Sequence, residues 1–95
     1  MRRSTVERRL RDNSHRLQRL REELGVTGEQ MEQLAEEAED ARIRAMVSET
    51  ALAQREYHEA ERHAAALARD RAKVEAEIER LERDQDRLLD ELGPA

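Results

Sequence analysis

The chain has 95 residues, of which 43% are charged and 37% hydrophobic, and its formal net charge is −5. Tyr57 is its one aromatic residue, and Trp, Phe and Cys are absent, so a thick globular core, a disulfide and a thiolate metal site are all excluded. Ala, Glu, Leu and Arg dominate, as in long helices and coiled coils, and disorder is the competing outcome unless the apolar residues are regularly spaced.

The opening stretch, MRRSTVERRLRDN, is basic but leads into no apolar h-region, so it does not read as a secretory signal. No window reaches the apolar length of a membrane span. A soluble cytoplasmic protein is the expectation. Lys73 is the single lysine against seventeen arginines, and with abundant Ala this bias suits a high-GC genome.

Helix 1 is expected over about 4–46. Val6, Leu10, Asn13, Leu17, Leu20, Leu24, Thr27, Met31, Leu34, Ala38, Ala41 and Ala45 follow one another at alternating spacings of four and three. A period of 3.5 residues kept for this length is a coiled-coil seam. Inside it, LGVTGEQM (24–31) allows two readings. Gly25 as a C′ residue, Thr27 with Gln30 as a capping box and Val26 with Met31 as a staple describe a helix that stops and restarts. Against that, the seam passes through in phase, and two helical Gly cost only about 1 kcal/mol each, which allows one continuous, kinked helix.

The turn is expected at about 47–50, in VSETALAQ. Ser48 reads as the N-cap of the next helix, with Val47 and Leu52 at the spacing of a hydrophobic staple and Glu49 near the positive helix end. Helix 2, over about 50–92, repeats the seam with Ala53, Tyr57, Ala60, Ala64, Leu67, Arg71, Val74, Ile78, Leu81, Gln85, Leu88 and Leu92. Gly93 and Pro94 end it.

Folding helix 2 back on helix 1 pairs residues whose numbers sum to 98. Val6 then faces Leu92, Leu17 faces Leu81, Leu20 faces Ile78 and Leu24 faces Val74. The polar seam residues also coincide, Asn13 with Gln85 and Thr27 with Arg71, where two polar groups can share hydrogen bonds and set the register. Flanking charges agree: Arg9 lies near Glu91, Arg16 near Asp84, Arg21 near Glu75 and Arg44 near Glu56, with Glu23 and Glu77 as the repulsive exception. The expected fold is therefore all-α, a single antiparallel two-helix coiled-coil hairpin spanning 1–95. Two helices bury little, and the seam near the turn is mostly Ala, so self-association or a partner is expected to complete the stability.

Two surfaces follow from this register. Gly25, Gly28, Ala35, Ala65, Ala68 and Ala72 form a small-residue flank on which a second hairpin could dock, giving a homodimeric four-helix bundle; the same alanines also serve simply as good helix formers. At the tip, Ile43, Met46, Val47 and Leu52 fall outside the seam and are candidate contacts for a protein partner, unless the staple consumes Val47 and Leu52. The Arg-rich start (Arg2, Arg3, Arg8, Arg9, Arg11, Arg16, Arg19) could touch nucleic acid or an acidic membrane surface. The acidic net charge, the lack of aromatics there and the acids supplied by residues 75–95 weigh against it. In YHEAERH, His58, Glu59, Glu61 and His63 spread over different helix faces, which is a charged surface rather than a metal site. No catalytic residues, cofactor or small-molecule substrate are expected, since there is no phosphate loop and no acid–base pair in a dry site.

EYHEA (56–60), just past the turn, resembles part of the hairpin motif D-L-K-E-N-A-E-Y-H-A-A of the Gre transcript-cleavage factors. That family inserts a coiled-coil hairpin into the RNA polymerase secondary channel and holds a metal with the two acids of the motif. Aligned on EYH, those acids fall on Thr50 and Ala53, which cannot replace carboxylate ligands, and the family's C-terminal domain is absent. The resemblance implies a hairpin that occupies a site without cleaving. The chain as a whole also resembles small coiled-coil proteins of high-GC bacteria. The leading expectation is a non-enzymatic interaction or adaptor module; a regulator inserting its tip into a larger machine such as RNA polymerase is the alternative.

Overall fold

A computed structural model describes residues 2–93. The fold is all-α, a hairpin of two helices: α1, Arg3–Ser48, and α2, Ala51–Leu92. No strand occurs among the described residues. Alanine and Leu, Glu, Arg and Gln, none of them branched at Cβ, supply most positions of both helices, and these lose little side-chain freedom on becoming helical.

α1 is continuous through Gly25 and Gly28, so the stop-and-restart reading is set aside. Thr27 is only 8% exposed and lies mid-helix, where it caps nothing; Val26, at 55% exposure, is no staple. The seam in phase outweighed the local turn chemistry.

Burial follows the 3.5-residue period. Of the seam residues in both helices, only Arg71 is exposed, and all others are buried or half-buried. That result decides the phase of both helices, because a slip of one residue would have turned the aliphatic positions outward.

The contacts divide the chain into two units, Met1–Leu24 with Lys73–Ala95, and Gly25–Ala72. In the first, Leu17, Leu20, Ile78 and Leu81 form a buried cluster with Leu24 and Val74 packed against it. These are the partners that the sum of 98 pairs. Burying an aliphatic side chain fully is worth roughly 1.5–3 kcal/mol, so this cluster anchors the unit. In the second unit the buried hydrophobic residues are Ala41, Ala45 and Ala53, which remove much less surface from water.

Candidate functional site

The tip is built by residues 45–54, and the chain reverses there differently from the sequence expectation. Ser48 is the last residue of α1 and not the N-cap of α2. Glu49 follows with φ of 52°, in the left-handed region, and its N–H donates to the Ala45 carbonyl at 3.2 Å. This is a helix end closed by an αL residue, with a non-glycine in the glycine position. Thr50 is the cap: its Oγ1 accepts the Ala53 N–H at 3.1 Å, and its carbonyl accepts the Gln54 N–H at 3.1 Å. The Gln54 side-chain amide donates back to the Ala45 carbonyl at 3.4 Å, satisfying further an oxygen that a helix end leaves short of partners.

Shifting the cap by two residues releases the staple. With Thr50 as N-cap, the staple positions become Glu49 and Gln54, neither of them apolar. Val47 and Leu52 are left 80% and 59% exposed, and Ile43 and Met46 are 48% and 64% exposed. All four candidate contacts therefore present aliphatic surface to water. Glu49 stands between the C-terminus of α1 and the N-terminus of α2, where the two helix dipoles act on it with opposite sign.

Beside this surface, Arg42 is fixed in place. Its Nη2 and Nε donate to the two carboxylate oxygens of Glu39 at 2.6 and 3.0 Å, and its Nη1 donates to the Met46 sulfur at 3.1 Å. The hydrogen bond from Arg42 holds the Glu39 carboxyl below the usual carboxylate range, and the same bond raises Arg42. Tyr57 stacks on His58 with ring centroids 5.6 Å apart. Loss of solvent pushes the Tyr57 hydroxyl up, and the Glu61 carboxylate adds to the effect.

The small-residue flank lies in the second unit. Gly28 is half-buried, while Gly25, Ala35, Ala65, Ala68 and Ala72 are exposed. A Cβ added at Gly25 or Gly28 would meet nothing within 4 Å, so neither glycine is required by packing within the chain.

The polar seam behaves differently from expectation. Asn13 and Gln85 are both half-buried, but Gln85 Oε1 is a buried oxygen with no hydrogen-bond partner, so the expected exchange does not satisfy it. Arg71 does not sit in the seam with Thr27; it is exposed, and its Nη1 approaches the Met31 sulfur at 3.8 Å. The long side chain leaves the seam because its charge keeps its hydration that way.

Cross-helix ion pairs also choose other partners. Arg16 reaches Glu77 at 3.6 Å rather than Asp84, and Arg21 reaches Glu82 at 3.8 Å. Asp84 is held instead along its own helix by Arg80 and Arg87. Glu77, expected to repel Glu23, is gripped by Arg80 at 2.5 and 3.0 Å. An i,i+3 arginine on the same helix is already near, and it is held with less loss of freedom than one reaching across. Arg9 and Glu91 do line one groove, of about 430 Å³, together with Asp12, Asn13, Asp84 and Leu88.

His58 Nδ1 lies 3.5 Å from Glu61, and both are exposed. No group of three or more His, Asp or Glu is placed to hold a metal among the described residues. Thr50 and Ala53, where the resemblance to the Gre hairpin would place its acids, are a helix cap and a buried residue. No helix is long and apolar enough to cross a membrane among the described residues.

Compared with protein families, curated proteins and solved structures, the chain matches none. The tip was legible in outline from the positions outside the seam. Thr50 was missed because VSETALAQ offers two hydroxyl residues as caps, and nothing in it announces that Glu49 adopts positive φ. Leu89, 54% exposed, was also passed over, although the heptad phase puts it beside the seam.

Proposed function

We propose that this chain is a non-enzymatic, cytoplasmic protein–protein interaction module whose contact surface is the hairpin tip. One observation carries the reading: Ile43, Met46, Val47 and Leu52 are each about half exposed or more, at a turn whose own capping uses none of them. Exposed aliphatic side chains gain free energy when a partner removes them from water. Insertion of this tip into a larger machine, RNA polymerase being the example given by the EYHEA resemblance, is one form of the same reading.

Affinity purification from the native cell tests it. Bait carrying Ile43→Asp or Met46→Asp is expected to lose the partner that wild-type bait retains, while far-UV circular dichroism stays unchanged. Retention by both variants would remove the tip as the contact surface.

A second reading, homodimerisation through Gly25, Gly28, Ala35, Ala65, Ala68 and Ala72, is favoured by the open space over both glycines. Light scattering of the purified chain tests it, with a monomer at all concentrations as the result against it.

A further inference from the structure

The chain has no cysteine, so methionine is its only side chain open to reversible oxidation at sulfur. Of its three methionines, Met1 lies outside the described residues. Met31 is half-buried. Met46 is 64% exposed, on the same helix as the exposed Ile43 and Val47. Its sulfur is 3.1 Å from Arg42 Nη1, on a guanidinium that Glu39 already clamps through two hydrogen bonds.

We propose that Met46 is an oxidation site that regulates the tip: a hydroperoxide converts it to the sulfoxide, Arg42 holds the new oxygen, and the protein partner is released. The proposal rests on the tip being the contact surface. With hydrogen peroxide as oxidant, the thioether sulfur attacks one peroxide oxygen. The S–O bond forms as the O–O bond breaks. Sulfur gives up two electrons, and the departing hydroxide takes the proton of the transferred oxygen and leaves as water.

Two physical changes make this a switch. A thioether is a weak acceptor, whereas a sulfoxide oxygen is a strong one, so the guanidinium beside the sulfur gains a better hydrogen bond in the oxidised form. At the same time a flexible apolar contact becomes polar and solvated. A partner that had buried Met46 would then have to strip water and Arg42 from that oxygen, at a cost the unoxidised tip does not impose.

The test treats the purified full chain with hydrogen peroxide and follows each methionine by peptide mass spectrometry. Met46 is expected to oxidise several-fold faster than Met31, with Met1 resolved on its own peptide. The treated chain then serves as bait in native-cell extract, scored on the species that wild type retains and Ile43→Asp loses. Those species are expected to be lost on oxidation and recovered after methionine sulfoxide reductase, and Met46→Leu bait is expected to keep them through the same treatment. Equal reactivity of Met31 and Met46 would overturn the proposal, as would full retention of those species by bait oxidised at Met46. If Ile43→Asp bait keeps everything that wild type keeps, the tip reading itself has failed, and that is visible before any oxidant is added.

Discussion

The Gln54 side-chain amide donates to the Ala45 backbone carbonyl at 3.4 Å, so the first turn of α2 helps to close the last turn of α1. The same carbonyl accepts the Glu49 N–H. The reversal is therefore held by groups from both helices while its apolar side chains stay outside it, and that separation leaves the tip surface available.

Thr50 and Ser48 make a direct test of the capping scheme. Thr50→Ala should lower stability by about 1 kcal/mol, the usual effect of removing a side-chain N-cap. Ser48→Ala should stay within about 0.5 kcal/mol of wild type, as exposed positions without a special role do. Thermal or urea unfolding followed by circular dichroism separates the two, and the reverse order would restore Ser48 as the cap.

Gly25 and Gly28 should be improvable. Both lie in α1 with open space where a Cβ would stand, so Gly25→Ala and Gly28→Ala are each expected to raise stability by up to about 1 kcal/mol. The measurement also bears on self-association. If a second copy docks its backbone closely on this flank, the double variant will be stabilised as a monomer yet dimerise more weakly in light scattering.

Gln85 carries a buried oxygen without a partner, and an unmet buried polar group costs roughly 1–3 kcal/mol. Gln85→Leu should therefore raise the unfolding midpoint in urea. A lowered midpoint would mean that the amide makes a stabilising contact elsewhere. Any gain in stability should come with a less strictly specified register, since a polar seam residue favours one alignment over its neighbours.

Glu77 predicts an acid dependence. The hydrogen bond from Arg80, helped by Arg16, holds its carboxyl below the usual carboxylate range in the folded chain. A carboxyl with a depressed folded value binds its proton more readily when unfolded, so its contribution is complete at pH values above the ordinary carboxylate range. It fades as pH falls through that range and is gone below the depressed folded value. Glu39, depressed by Arg42, acts in the same window. Unfolding midpoints measured down through the acid range should fall, and the fall should be shallower in Glu77→Gln. Glu39 is exposed and Glu77 keeps 27% of its side-chain surface in water, so the change will be modest.

The linear sequence determined the helices, their phase and their pairing. An alternation of four and three sustained through both halves allows one buried stripe on each helix, and an error of one residue would expose Leu17, Leu20, Ile78 and Leu81 together. The exclusion of Ile43, Met46, Val47 and Leu52 from that stripe was legible for the same reason. Tertiary structure alone decided how the chain turns and which polar groups meet. Whether Ser48 or Thr50 caps α2 depends on Glu49 adopting positive φ, a small conformational preference that composition does not encode. Whether Arg16 takes Asp84 or Glu77, and whether Gln85 finds a partner, depends on a few ångströms of side-chain reach. Hydrophobic periodicity accumulates over many residues and is robust, whereas a cap or an ion pair is a single choice between neighbours of nearly equal energy.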